Sequence, residues 1–165
     1  MPKPIPNTQT GSLADHEHGT NDTLIGVDNA INTLYGDAFA MYDGAHGGND
    51  TLIGGTNSTN TLYGDAYEMH DNTRGGNDTL IGGDGSTDNS LFGDAWIMDG
   101  DSRGGNDTLI GPHQQSGDHG SIFNELYGDA FSMSDNARGG NDTLTVVPGV
   151  NGFVSRRLAL SPTGP

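Results

Sequence analysis

The segment Asn-Asp-Thr-Leu occurs five times, starting at Asn21, Asn49, Asn77, Asn106 and Asn141, at steps of 28, 28, 29 and 35 residues. A second segment, aromatic-Gly-Asp-Ala, starts at Tyr35, Tyr63, Phe92 and Tyr127, and each copy stands 14 residues before the next Asn-Asp-Thr-Leu. Two motifs held at a constant spacing make the chain one structural unit copied about four and a half times, so any fold must respect a period of about 28 residues. Extra residues enter only between the motifs, one in the third copy and seven in the fourth, which marks 112–122 as an inserted loop on one edge.

Within a copy, Asp50-Thr51-Leu52-Ile53-Gly54 and Asn60-Thr61-Leu62-Tyr63-Gly64 are variants of one unit, ten residues apart. Such pieces are too short for helices and no 3.6-residue pattern spans a copy, so they predict short strands between turns. A third strand is predicted where an aromatic and a methionine alternate, at Phe39/Met41, Tyr67/Met69, Trp96/Met98 and Phe131/Met133, each pair on one strand face. The expected fold is all-β: a parallel β-solenoid or β-roll of four to five coils with about 28 residues per coil, stacked at ~4.8 Å. It covers residues 19–145, after an extended or weakly capping segment 1–18 and before a tail or cap 146–165. Both a two-sided roll and a wider three-sided coil satisfy the period.

Stacking turns the repeat into columns. Leu24, Leu52, Leu80, Leu109 and Leu144 form one and Leu34, Leu62, Leu91 and Leu126 another; both are placed inside, together with the aromatic and methionine columns. On a simple strand the residues next to an inward leucine point outward, so Ile25, Ile53, Ile81, Ile110 and Tyr35, Tyr63, Phe92, Tyr127 are expected as apolar stripes. Such stripes serve self-association or partner docking unless a wider coil or cap covers them.

This core is thin, because Leu, Ile, Val and Phe supply only 30 of 165 residues while 22 acids face 6 bases, a formal charge of −16. That composition belongs to disordered chains unless something other than apolar burial stabilises the fold. A polyanion with one lysine repels nucleic acid and anionic lipid, and no apolar run approaches the length of a membrane span, so neither nucleic-acid binding nor membrane insertion is expected. The absence of cysteine excludes disulfides and thiolate metal sites. Residues 1–19 lack the apolar region of a cleavable signal peptide.

Nineteen of the acids are aspartate. Asp22, Asp50, Asp78, Asp107 and Asp142 share one column, Asp37, Asp65, Asp94 and Asp129 a second, and Asp43, Asp71 and Asp135 a third, with Asp99 and Asp101 flanking Gly100 in the remaining copy. Carboxylates one strand apart repel by roughly 3 to 4 kcal/mol at an effective dielectric near 20, and along columns this exceeds the net stability of an ordinary domain. Either the side chains splay into water or cations sit between coils. Calcium suits the second option: it takes six to eight oxygens, and Gly-Gly-Asn-Asp lets backbone carbonyls turn toward an ion. Magnesium demands a stricter octahedron, and transition metals want imidazole or thiolate that the repeat lacks.

Gly75-Gly76-Asn77-Asp78-Thr79-Leu80-Ile81-Gly82-Gly83 resembles the calcium-binding repeats of the RTX, or hemolysin-type, family, whose nonapeptide is Gly-Gly-x-Gly-x-Asp-x-apolar-x. Here the third glycine is absent and the period is longer. The resemblance implies a parallel β-roll with calcium in its turns. It carries Asp50, Asp78, Asp107 and Asp142 over as calcium carboxylates, with Asp22 in a weaker copy, and Gly47, Gly48, Gly75, Gly76, Gly104, Gly105, Gly139 and Gly140 as sources of turn carbonyls. It further implies a secreted or cell-surface bacterial protein, exported by a type I-like route.

Arg74, Arg103 and Arg138 share a register with His46 and are expected to pair with neighbouring acids. Histidines cluster with acids at Asp15-His16-Glu17-His18 and around His113, Asp118 and His119, with nothing to fix a metal geometry. No nucleophile, base and orienting group fall together, and no phosphate loop exists, so no enzyme activity is expected. The expected function is a calcium-binding module with a structural or interaction role, folding on Ca2+ binding. The alternatives are a filament subunit stacking through open coil edges or apolar stripes, and an adhesin or ice-binding repeat using the column Thr23, Thr51, Thr79, Thr108 and Thr143.

Overall fold

The computed structural model describes residues 11–113, 123–146 and 153–154. In chain order the first strands are β1 (Ser12–Leu13), β2 (Thr23–Ile25), β3 (Ile31–Tyr35), β4 (Ala40–Met41), β5 (Thr51–Ile53), β6 (Thr59–Tyr63), β7 (Glu68–Met69) and β8 (Thr79–Ile81). They continue as β9 (Asp88–Phe92), β10 (Ala95–Met98), β11 (Thr108–Ile110), β12 (Phe123–Tyr127), β13 (Ala130–Met133), β14 (Thr143–Thr145) and β15 (Phe153–Val154). Among the described residues there is no helix.

Every strand pairs in parallel with the strand three positions away. This yields three five-stranded sheets: β1-β4-β7-β10-β13, β2-β5-β8-β11-β14 and β3-β6-β9-β12-β15. They are called below the methionine, threonine–leucine and asparagine–leucine sheets. Where the period allows either arrangement, each copy thus supplies one strand to each of three sheets. Pairing also reaches outside 19–145: Ser12–Leu13 aligns with Ala40–Met41, and Phe153–Val154 with Glu125–Leu126. Of the inserted loop, residues 114–122 lie outside the described residues, as do Asp118 and His119; His113 is held by its N–H donating to Asp84 Oδ1 at 2.7 Å.

The leucine columns are inside, as expected. Leu34, Leu52, Leu62, Leu80, Leu91, Leu109 and Leu126 form one buried cluster, capped at its ends by half-buried Leu24 and Leu144. Each contributes roughly 2 kcal/mol of apolar burial, which a polyanion of this size needs. A second cluster joins Met41, Met69 and Met98 to stacked alanines such as Ala66, Ala95 and Ala130.

The aromatics are placed differently from expectation. They do not share a face with the methionines: Met69 and Met98 are fully buried, whereas Tyr67 and Trp96 pack in a separate cluster with Tyr63, Phe92 and Tyr127. A bulge is the cause. Trp96 and Ile97 both donate their N–H to Tyr67 O, at 3.0 and 3.2 Å, and Tyr67 and Glu68 both donate to Phe39 O, so the alternation slips by one residue. The ring so turned outward meets the tyrosine-column ring edge-on, Tyr63 with Tyr67 at 5.7 Å and Phe92 with Trp96 at 5.2 Å. This covers Tyr63, Phe92 and Tyr127, so their column is no exposed stripe. The isoleucine column stays partly open, with Ile25 exposed and Ile53, Ile81 and Ile110 half-buried.

Candidate metal centre

The first aspartate column precedes the threonine–leucine sheet, and its members are linked rung to rung. Asp22 N–H donates to Asp50 Oδ1 at 2.6 Å, Asp50 to Asp78 at 2.7 Å, Asp78 to Asp107 at 2.8 Å, and Asp107 to Asp142 at 3.0 Å. The second column follows the aromatic-Gly turn and reaches eleven residues along its own copy. Gly48 N–H donates to Asp37 Oδ2 at 2.8 Å, Gly76 to Asp65 Oδ1 at 2.8 Å, Gly105 to Asp94 Oδ1 at 2.7 Å and Gly140 to Asp129 Oδ1 at 2.5 Å. Each of these accepting carboxylates therefore has one oxygen engaged by a backbone amide, while that of Asp22, at the end of its column, accepts from the Thr20 hydroxyl at 2.9 Å.

The remaining oxygens carry the chemistry. Asp37 Oδ1, Asp50 Oδ2, Asp65 Oδ2, Asp78 Oδ2, Asp94 Oδ2 and Asp107 Oδ2 are buried without a hydrogen-bond partner. The side chains themselves are inside the protein: Asp65 and Asp94 are 0% exposed, and Asp50, Asp78, Asp107 and Asp129 no more than 2%. Burial drives every one of these carboxyls upward, Asp50 and Asp129 to about 7, and Asp65, Asp78, Asp94 and Asp107 well above the usual carboxylate range. Repulsion between the two columns adds to this, since Asp65 faces Asp78 and Asp94 faces Asp107. At 1.36 kcal/mol per unit, ionising Asp50 alone costs about 4 kcal/mol, so seven such groups left bare outweigh a domain's net stability.

Glycines form the walls. A Cβ on Gly36, Gly64 or Gly93 would strike both the carbonyl of the next rung's glycine and Oδ2 of Asp50, Asp78 or Asp107. A carboxylate oxygen and a backbone carbonyl oxygen therefore both lie against each of these glycines, the two kinds of oxygen that a hard cation takes. A Cβ on Gly75 would strike Asp94 Oδ1 and lie 2.5 Å from Asp65 Oδ2, so successive carboxylates of the second column also converge. Among the described residues no three His, Cys, Asp or Glu side chains gather as a ready-made metal group. The carboxylates approach in pairs, so the rest of any coordination shell comes from backbone carbonyls or water. Hard oxygens, two carboxylates at a time, with carbonyls alongside, fit calcium and leave imidazole or thiolate metals without ligands.

The other predicted site residues lie elsewhere. Asp43, Asp71 and Asp135 are exposed, with φ of 50°, 62° and 55°, and Gly100 takes the equivalent place with φ 63°. A left-handed turn by itself selects Asp or Gly there. Gly48, Gly76 and Gly105 engage the second column through their N–H groups, while the carbonyls of Gly48 and Gly76 pack against the α-carbons of Gly76 and Gly105. The register of His18, His46, Arg74, Arg103 and Arg138 forms a ladder of parallel bridges. Arg74, Arg103 and Arg138 are exposed, and among the described residues the ion pairs are those of His70, with Asp99 at 2.8 Å and Glu68 at 3.4 Å. The expected arginine–acid pairs are therefore absent among the described residues, because the nearest acids of the repeat are turned inward or held in the left-handed turn.

One polar column escaped sequence reasoning. Asn32, Asn60, Asn89 and Asn124 are buried, each amide donating to the next at 2.9, 3.0 and 3.0 Å. The signal was an asparagine standing two residues before every leucine of the asparagine–leucine sheet. No family model, curated protein or solved structure matches the chain.

Proposed function

We propose that the chain is a calcium-binding, three-sided parallel β-solenoid with a structural or interaction role, an RTX-like variant that folds on Ca2+ binding in the extracellular space. The observation that carries this reading is the set of seven buried aspartates, six of whose oxygens in the two columns lack any partner. A fold that buries this many carboxylates is stabilised by positive charge inside it, and the bases of the adjoining ladder stand at the surface, with His18, Arg74, Arg103 and Arg138 exposed and His46 half-buried. Asp37, Asp50, Asp65, Asp78, Asp94, Asp107 and Asp129 are the central ligands, with Asp22 and Asp142 at the ends. Equilibrium dialysis against calcium with a magnesium competitor tests it. Several calcium ions bound per folded chain, not displaced by magnesium, is the expected result; a folded chain that binds none contradicts it.

A second reading, end-to-end association, is favoured by one observation. The terminal strands β2 and β14 both present Thr-Leu in the register that β2 and β5 already use, with Leu24 and Leu144 half-buried at the two ends. A second copy's β2 continues the column on β14 without a register change. Light scattering with and without calcium distinguishes a monomer from growing rods.

A further inference from the structure

The calcium reading leaves open how an ion reaches carboxylates that solvent does not touch. Asp65 and Asp94 are 0% exposed, and the unpartnered oxygens of both columns are buried. An ordinary buried site opens when a side chain swings aside. On one side the wall is backbone, with no side chain to swing: Gly36, Gly64 and Gly93 pack their α-carbons on Oδ2 of the first column, and Gly75 and Gly104 pack on the second. Backbone meets backbone behind them, with the α-carbon of Gly76 against Gly48 O and that of Gly105 against Gly76 O.

The same corners are pinned by rung-to-rung hydrogen bonds. Gly47 N–H donates to Arg74 O at 2.7 Å, Gly75 to Arg103 O at 2.7 Å and Gly104 to Arg138 O at 2.8 Å. On the other side Asp65 and Ala66 both donate to Asp94 O. Widening the wall by the diameter of an ion therefore breaks these bonds between rungs. The ends differ, because Asp22 and Asp142 are only half-buried.

We propose that the interior cations are occluded: the chain takes them up while it folds and gives them up only as rungs separate, whereas the end sites exchange freely. This rests on the calcium reading above and adds to it a kinetic property. The backbone geometry carries it, since glycine backbone lies directly on the unpartnered oxygens and is itself bonded from rung to rung. It also makes each occupied rung a lock on its neighbours, as loss proceeds inward from an end.

The test loads the full chain with radiolabelled calcium during refolding, removes free label by gel filtration and adds excess EDTA. Label release is followed alongside far-ultraviolet circular dichroism and the fluorescence of Trp96, the single tryptophan. The expected result is two phases: a fast one from the ends, and a slow one whose rate constant is independent of EDTA concentration and coincides with loss of strand signal at every urea concentration. Asp94→Asn removes label from the slow phase and leaves the fast phase intact. If all label leaves quickly while the strand signal persists, the sites exchange through the wall and occlusion is wrong, with calcium binding itself untouched. If the folded chain carries no label at the start, the calcium reading fails instead.

Discussion

Asp78 donates its peptide N–H to Oδ1 of Asp107 one rung away, at 2.8 Å, while Oδ2 of the same Asp107 is buried with no partner. One carboxylate thus joins two copies of the repeat and at the same time makes that joint unstable. Its bonded oxygen spans the two copies, and its bare oxygen lies buried close to the carboxyls of Asp94 and Asp78. The same combination recurs at Asp50 and Asp78 of the first column, while in the second column the bonded oxygen is held within its own copy; on the calcium reading proposed above, it makes the stability of the protein conditional on the cation.

Replacing charge without replacing shape separates the two roles. In Asp78→Asn the side-chain oxygen still accepts from Asp50 N–H, but the buried charge is gone. In EDTA the variant is expected to be more stable than the parent, by on the order of 3 kcal/mol, because an uncompensated buried charge has been removed. In calcium it is expected to be less stable and to need more calcium to fold. Urea denaturation under both conditions checks the reversal of sign; destabilisation in both would mean that the carboxylate is a purely structural acceptor.

Acid should substitute for the cation. The interior carboxyls have folded-state values above the unfolded aspartate value of about 3.9, with Asp50 and Asp129 at about 7. The folded state therefore binds more protons than the unfolded one between these limits, and stability falls as pH rises. In EDTA, strand signal is expected near pH ~4 and lost as pH climbs through about 7, while with calcium it persists at neutral pH. Circular dichroism against pH in the two buffers reads this directly.

The glycine walls give a steric prediction. A Cβ on Gly76 meets the carbonyl of Gly48 in the adjacent rung, whereas one on Gly11 meets nothing within 4 Å. Gly76→Ala is expected to cost about 3 kcal/mol with calcium present, through displacement of backbone by backbone. Gly11→Ala should stay within about 0.5 kcal/mol of the parent. Paired urea melts compare them.

The asparagine ladder is expected to matter as much as the leucines. Asn60 is 1% exposed; its Oδ1 accepts from Gly55 N–H at 2.9 Å and its Nδ2 donates to Gly55 O at 3.1 Å. Asn60→Ala leaves the Gly55 N–H without its partner, leaves Gly55 O with only the Ser86 hydroxyl at 3.0 Å, and breaks the ladder, at a cost of about 2 to 4 kcal/mol. Hydrogen exchange at Gly55 should accelerate in the variant more than exchange at Leu80, which lies in a different sheet.

How much of this was legible in the sequence follows from what a period reveals. Equal spacing placed Asp50, Asp78 and Asp107 in one column and the leucines in another, because stacking needs only the repeat length. It did not reveal which way a column faces, since that depends on local backbone. Trp96 shows the limit: simple alternation puts it beside Met98, and the shared carbonyl of Tyr67 turns it outward. Asp65 shows the same limit in the opposite sense. Turn chemistry pointed its column and that of Asp71 alike to the surface or to a shared ion, yet the left-handed φ of 62° keeps Asp71 exposed while Asp65 is fully buried. Asn60 was hidden by its likeness to Asp50, both standing before Thr-Leu, although one belongs to an amide ladder and the other to a carboxylate column.

The most direct measurement of the central claim is far-ultraviolet circular dichroism of the full chain at neutral pH during a calcium titration, with EDTA and magnesium as controls. A disordered spectrum in EDTA and in magnesium, and a cooperative rise of strand signal with calcium, is the expected result. A strand spectrum already complete in EDTA and indifferent to calcium would contradict it.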